Sequence, residues 1–126
     1  MFRIPYLAFY IIACVLAAVC DGHTDDGPQK AHVGYLIDMF CARQRKASES
    51  DLGSKHTRNC LQMPICVRSG FGLLIRDREV IAFDAKGNRM AQSLIDKTSR
   101  LGHLLVRVRG TISARELQVT DIYLIR

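Results

Sequence analysis

The stretch GFGLLIRDREVIAFD, residues 70–84, decides the fold class, because it holds two apolar segments joined by only two polar residues. Residues 71–76 and 79–83 are rich in branched and aromatic side chains, a composition typical of β-strands. A link as short as Asp77-Arg78 favours an antiparallel hairpin, since parallel strands need a much longer crossover. The stretch therefore predicts two paired strands of a β-rich domain.

A helix is predicted directly after this hairpin. The segment RMAQSLIDKTSR, residues 89–100, repeats apolar side chains at helical spacing and so gives one apolar stripe. Asn88 is the predicted N-cap of this helix, after a turn over residues 84–87, and Gly102 closes the segment.

Two further strands are predicted beyond the helix. HLLVRVRGTI, residues 103–112, alternates apolar and basic side chains, as a strand with one buried face does. ELQVTDIYLI, residues 116–125, also alternates, but the pattern shifts by one position in the middle. A β-bulge near Thr120 or Asp121 would return the apolar side chains to one face.

Upstream of the hairpin, the sequence predicts one strand and a long loop. HVGYLIDMF, residues 32–40, has strand composition, and residues 41–70 form a polar first loop with a helical turn that Pro64 ends. The order is strand, loop, strand, strand, helix, strand, strand, which is the order of an OB-fold. We therefore expect a mainly β chain with one or two short helices, folded as a small five-stranded OB-like barrel.

The first twenty residues, MFRIPYLAFYIIACVLAAVC, differ in composition from the rest of the chain. Arg3 precedes an apolar run that ends in small residues, which is the layout of a secretory signal peptide. We expect export to the periplasm or cell envelope, with lipidation of Cys20, or retention of residues 1–20 as a membrane anchor, as alternatives. The polar residues 21–31 predict a linker, which leaves residues 32–126 as one domain.

Charge does not single out a partner. The chain has 126 residues and a net charge of +6, but charges of both signs alternate, as in RDREV, which is typical of a solvated surface. Oligonucleotide binding by an OB-like barrel needs exposed aromatic side chains beside basic ones. The chain has no tryptophan, so several of its other aromatic side chains have to fill the core; the candidates are Tyr35, Phe40, Phe71, Phe83 and Tyr123. Nucleic acid is therefore not the expected partner.

HTRNCLQMPIC, residues 56–66, brings one histidine and two cysteines into eleven residues. Without the leader the chain keeps three cysteines: Cys41, Cys60 and Cys66. Cysteines of exported proteins usually pair, so one interpretation is a disulfide among these three with one thiol left over. In that interpretation the disulfide is a cross-link that stabilises the fold.

The other interpretation is a zinc or copper site. Its ligands would be three cysteines and a histidine, a tetrahedral zinc set that leaves no thiol over: Cys41, His56, Cys60 and Cys66. A helix over residues 55–61 would place His56 and Cys60 on one face. Met63 adds a thioether, which suits copper(I), and Asp38 could orient the histidine. Both interpretations stay open at this point.

Enzymatic roles have less support, and we predict no catalytic residue and no certain cofactor. A thiol-redox protein would need a lowered thiol pKa, which Arg58 or His56 could provide, but the chain has no CxxC motif. A cysteine nucleophile with His56 as base lacks an orienting partner. The leading hypothesis is therefore a non-enzymatic envelope protein with a Cys/His cluster. A thiol-redox protein and a ligand-binding OB module are the alternatives.

A resemblance supports this outline. The pattern Gly34-Tyr35-x-x-Asp38-x-x-Cys41, followed by His56-x3-Cys60-x5-Cys66, FDAKGN and VRVRGTI, resembles a group of small exported bacterial proteins. The resemblance covers most of the chain beyond the leader, and the cysteine and histidine spacing is its most specific part. It implies bacterial export and an OB-like C-terminal half, and it implies no activity.

Overall fold

Five strands of the chain form one sheet that closes on itself. The computed structural model of the protein describes residues 28–44, 53, 56–76 and 79–126. The strands are β1 (Lys30–Asp38), β2 (Phe71–Ile75), β3 (Glu79–Phe83), β4 (Leu105–Ser113) and β5 (Glu116–Leu124). Their order around the barrel is β1-β2-β3-β5-β4, and only β3 and β5 pair in parallel. The predicted small five-stranded barrel is confirmed.

Four helices accompany the described strands, rather than the predicted one or two. They are α1 (Met39–Gln44), α2 (Arg58–Leu61), α3 (Pro64–Ser69) and α4 (Ala85–Lys97). The first three fall at the end of the predicted first strand and in the predicted loop over residues 41–70. Helix α2 lies within the helical turn predicted before Pro64, whereas α1 and α3 are not predicted, because helices of four to six residues hold too few apolar positions to show helical periodicity.

Strand β1 closes the barrel by pairing with β4 along its first part and with β2 along its second. Tyr35 is the changeover residue, because it lies opposite both Leu105 and Leu74. The preceding residue is Gly34, where a Cβ atom would lie 2.3 Å from the carbonyl oxygen of Leu74. Only glycine allows the two backbones to approach this closely.

The predicted bulge in the last strand is confirmed. Arg109 lies opposite Asp121, whereas the next residue of β4, Gly110, lies opposite Val119, so Thr120 is the extra residue. The Thr120 hydroxyl donates a hydrogen bond to the Arg109 carbonyl oxygen at 3.1 Å. The bulge thus keeps the apolar side chains of β5 on one face, although their alternation in the sequence shifts by one position.

Helix α4 begins four residues earlier than the sequence predicts. Its N-cap is Asp84, whose carboxylate accepts from the Gly87 amide at 2.8 Å and from the Val119 amide of β5 at 3.2 Å. Asn88, the predicted cap, instead accepts from the Phe71 amide at 2.7 Å. Both residue types are good caps. Each of the two also accepts from an amide of the barrel, Asp84 from one of β5 and Asn88 from one of β2.

One apolar core fills the barrel and the space beneath α4. The side chains that share this core are Leu36, Leu61, Phe71, Leu73, Ile81, Phe83, Ala91, Ile95, Leu104, Val106, Val108, Leu117 and Val119. Two predicted aromatic residues, Phe71 and Phe83, are among them, whereas Tyr123 is 53% exposed. Some of the aromatic side chains therefore fill the core, as expected for a chain without tryptophan.

The N-terminal predictions fall mostly outside the described residues. Residues 1–20 and Cys20 lie outside them, as does most of the predicted linker, although β1 already begins at Lys30 within it. Pairing of Lys30 and Ala31 with β4 explains this earlier start. Among the helices that the structure describes, none has the length and apolar character that a membrane span requires.

Candidate metal centre

The candidate site begins where β1 ends. Asp38 is the last residue of β1, its side chain is fully buried, and its Oδ1 atom accepts a hydrogen bond from the Cys41 amide at 2.8 Å. A carboxylate in this position caps the first turn of α1. The cap therefore brings the Asp38 carboxylate and the Cys41 side chain to the same end of the barrel.

Helix α2 supplies the second part of the site. Thr57 caps it by accepting from the Cys60 amide at 3.2 Å. The following residue, Arg58, ties it to α4 and to the segment after α4: its amide donates to the Leu101 carbonyl at 2.8 Å and its guanidinium to the Ile95 carbonyl at 3.0 Å. These bonds hold the helix that carries Cys60 beside the C-terminal end of α4.

Helix α3 supplies the third part. Pro64 is its first residue, a position where the amide hydrogen that proline lacks would have no partner within the helix. The proline predicted to end the preceding helical turn therefore also begins α3. The Ser69 hydroxyl accepts from the Phe40 amide at 3.0 Å and donates to the Cys66 carbonyl at 2.7 Å. This one hydroxyl links α3 to α1.

These elements gather four side chains around one point. One oxygen of Asp38 and the sulfur atoms of Cys41, Cys60 and Cys66 all lie within 4.8 Å of one another. The three cysteines that the sequence singles out are therefore together. From the sequence, the Asp38 carboxylate could orient a ligand histidine, although an aspartate in this position more often caps a loop or pairs with an arginine. Its three-residue spacing from Cys41 at a strand end is the signal for its position.

His56 lies at the edge of this cluster. Its Nε2 atom is 2.5 Å from Asp38 Oδ2 and 4.0 Å from the sulfur of Cys60, and the side chain is buried. The predicted contact between Asp38 and the histidine is thus present. The predicted closeness of His56 and Cys60 is also present, although His56 precedes α2 instead of lying on it.

Asp38 is held as a carboxylate. Burial acts to raise its pKa, but the hydrogen bonds from His56 and from the Cys41 amide outweigh burial and lower the pKa to about 2. A buried carboxylate at neutral pH needs cationic or hydrogen-bonding partners. The cluster therefore contains one fixed negative charge before any thiol ionises.

Two thiols of the metal-free site, those of Cys41 and Cys66, are held in their neutral form. Burial, and then the negative charge of Asp38, raise the pKa of Cys41 to about 11 and that of Cys66 to about 12. A reactive thiol needs the opposite shift, because the thiolate is the nucleophile. These shifts do not favour the thiol-redox alternative in the metal-free protein.

The geometry also lacks the features of a cysteine protease-like triad. In such a triad the cysteine and the carboxylate face different nitrogens of the histidine. Here Asp38 and Cys60 both approach the same nitrogen, Nε2 of His56. The histidine therefore cannot pass a proton between them in the way that a triad does.

Two uses of the cluster remain compatible with its dimensions. All three described cysteines are free thiols, and sulfur atoms within 4.8 Å of one another are close enough to share a metal ion or, after side-chain rotation, to form a disulfide. The buried carboxylate contributes nothing to a disulfide. To a zinc ion it is an ordinary ligand.

No protein-family model matches the chain, and neither does any curated protein or solved structure. The resemblance to small exported bacterial proteins therefore stays a prediction.

Proposed function

We propose that this protein is a small OB-like barrel that binds one zinc ion through Cys41, Cys60, Cys66 and Asp38. The observation that carries the proposal is the position of a buried carboxylate among three sulfur atoms, with all four ligand atoms within 4.8 Å. Zinc is bound tetrahedrally by sulfur, nitrogen and oxygen ligands at about 2.0–2.3 Å from the ion, so ligand atoms this close together can share one ion. The site is a set of four protein ligands that meet at one end of the barrel.

Zinc fits the donor set better than copper(I) does. Copper(I) selects soft thiolate and thioether ligands, whereas zinc, a borderline ion, also accepts a carboxylate. Met63, the thioether that would favour copper(I), is 50% exposed to solvent. The presence of Asp38 in the cluster supports zinc.

His56 has an outer role in this proposal. It contacts Asp38 Oδ2, while Asp38 Oδ1 accepts a hydrogen bond from the Cys41 amide. Both oxygen atoms of the carboxylate are therefore held in place. Hydrogen-bonded outer partners commonly orient a metal ligand and raise the affinity of the site. The Cys3His interpretation of the sequence makes His56 the fourth ligand and Asp38 its orienting partner. In the proposed site these two roles are exchanged.

The proposed site is structural. Four protein ligands complete a tetrahedral zinc site, whereas a catalytic zinc keeps one position open for water or substrate. The ligands come from the end of β1 and from α1, α2 and α3, so one ion joins four elements. Zinc binding then adds directly to the free energy of folding.

The setting of this function is the cell envelope. The signal-like composition of residues 1–20 supports export, with a cleaved leader, a lipidated Cys20 or a retained anchor as the three forms. In an oxidising compartment, bound zinc would keep together three thiols that cannot all pair with one another. We therefore propose a non-enzymatic, zinc-stabilised envelope protein.

Zinc titration of purified variants against a competing chelator tests the ligand assignment. Cys66→Ser and Asp38→Asn each remove a ligand, and we expect the zinc affinity to fall by more than about 100-fold. His56→Gln removes the outer partner and should lower it about 10- to 100-fold. His103→Gln alters an exposed histidine outside the cluster and serves as the matched control.

Two results would contradict this assignment. If His56→Gln abolishes binding while Asp38→Asn costs only about 10- to 100-fold, His56 is the fourth ligand and Asp38 the outer partner. If all of the variants bind zinc as the His103→Gln control does, the cluster is not a zinc site.

A further inference from the structure

We propose that the cluster has a second, oxidised state, in which Cys41 and Cys60 form a disulfide and the zinc ion leaves. This inference rests on the proposed zinc site and adds its regulation. It assigns separate roles to the three thiols: two form the reversible pair, and Cys66 stays reduced in both states.

Solvent exposure distinguishes Cys66 from the other two cysteines. Cys66 is 1% exposed, whereas Cys41 and Cys60 are both partly exposed. An oxidant dissolved in water therefore reaches the latter two first, since susceptibility to oxidation follows exposure as well as thiolate character.

Distance allows this pairing. The sulfur atoms of Cys41 and Cys60 lie within 4.8 Å of each other, so the two cysteines are already neighbours before oxidation. Cys66 lies on the buried side of the cluster.

The chemistry balances with a hydroperoxide as the oxidant. One zinc-bound thiolate attacks hydrogen peroxide, which gives a sulfenic acid and hydroxide, and the second thiolate displaces a second hydroxide to form the disulfide. Two thiolates lose two electrons in total, one peroxide gains them, and two protons convert the hydroxides to water. The zinc ion leaves with its two positive charges.

Zinc leaves because half of its ligands are lost. A disulfide sulfur no longer carries the negative charge that binds the metal, so only Cys66 and Asp38 remain as ligands. Asp38 keeps its hydrogen bonds to His56 and to the Cys41 amide. Reduction of the disulfide by a dithiol restores the full set, so the change is reversible.

The test uses the full-length chain with Cys14→Ser and Cys20→Ser, so that only the three cluster thiols are scored. The zinc-loaded protein is treated with hydrogen peroxide, released zinc is measured with a chromogenic chelator, and the disulfide is located by mass spectrometry of unreduced peptides. We expect one zinc ion released per Cys41–Cys60 disulfide, one alkylatable thiol left on Cys66, and zinc rebinding after reduction.

Cysteine variants provide a readout that does not depend on zinc. Without metal, Cys66→Ser should still form the disulfide with peroxide at alkaline pH, where thiolate is available, whereas Cys41→Ser and Cys60→Ser should not. Zinc loss with a disulfide to Cys66, or retention of zinc with three reduced thiols, would overturn the oxidised state and leave the zinc site standing. Failure of the reduced protein to bind zinc at all would overturn both proposals.

Discussion

Asp38 connects the barrel to the cluster through one carboxylate. It ends β1, caps α1 through the Cys41 amide, contacts His56, and lies within 4.8 Å of the three cysteine sulfur atoms. Its burial would be costly for a charged group without these partners. The same contacts that stabilise the fold around Asp38 therefore also place a negative charge where a cation can bind.

Acid stability tests the ionised state of Asp38. Its pKa is lowered from 3.8 to about 2 in the folded protein. The resulting stability is therefore fully present above pH 3.8 and is lost as the pH falls towards 2. We expect the free energy of unfolding of the metal-free protein to drop by about 2 kcal/mol over that range. Urea denaturation as a function of pH measures it.

Two variants make the acid experiment specific to this residue. Asp38→Asn should lose most of the pH dependence between 4 and 2, whereas Asp121→Asn, which alters an aspartate of β5, should keep it. An equal drop in Asp38→Asn and in the unaltered chain would show that Asp38 is not the group that titrates.

Proton release tests the state of the thiols. Because the pKa values of Cys41 and Cys66 are raised to about 11 and 12, both thiols are protonated at pH 7 in the metal-free protein. Zinc binds thiolates, so binding should release at least two protons per ion, and apparent affinity should rise about 100-fold per pH unit. Calorimetry in buffers of different ionisation enthalpy counts these protons. Release of fewer than one proton would contradict a site made of these cysteines.

The residues of the cluster could be found only in part from the sequence. Cys41, His56, Cys60 and Cys66 stand out because cysteine and histidine have distinctive chemistry and the number of these cysteines, three, is odd. Asp38 does not, since an aspartate after a strand is most often a cap, and here it is a cap as well. Which of Asp38 and His56 faces the sulfur atoms depends on the path of the chain, which spacing does not determine.

Among the elements, α4 shows how one cap joins a helix to the barrel. Asp84 accepts from the Gly87 amide within the helix and from the Val119 amide of β5. At Gly87 a Cβ atom would lie 2.5 Å from the Val119 side chain. Helix α4 therefore begins against β5, and any side chain at position 87 would push the two elements apart.

Removal of the cap gives an element-scale prediction. Asp84→Ala leaves the Gly87 and Val119 amides without their acceptor and should lower the free energy of unfolding by about 1–2 kcal/mol. Lys86→Ala, in the exposed first turn of the same helix, is the matched control. Chemical denaturation of the zinc-loaded proteins compares them, and zinc affinity should not change. Equal stability of the two variants would contradict the role of the cap.

The strands could be predicted from the sequence, but of the three short helices only α2 lies in a predicted helical turn. Alternation of apolar and polar side chains along β4 and β5 reflects burial of one face, and the position of the bulge follows from the change of phase. Helices α1, α2 and α3 have six residues or fewer, and their ends depend on Asp38, Thr57 and Pro64. Such local caps appear in a sequence only as ordinary turn residues.

At the scale of the whole molecule, the barrel and the three short helices differ in how they are held together. The barrel has its own apolar core and a closed sheet, whereas α1, α2 and α3 bury few apolar side chains of their own. A bound ion would supply the cross-link that these short helices lack. Zinc binding would therefore hold α1, α2 and α3 at the end of the barrel.

Intact mass under native and then denaturing conditions, on reduced protein supplied with zinc, tests whether the chain binds the ion. We expect one zinc ion per chain in the native spectrum, its loss on denaturation, and full alkylation of Cys41, Cys60 and Cys66 afterwards. A native mass equal to that of the bare chain, with the same three thiols free, would contradict it.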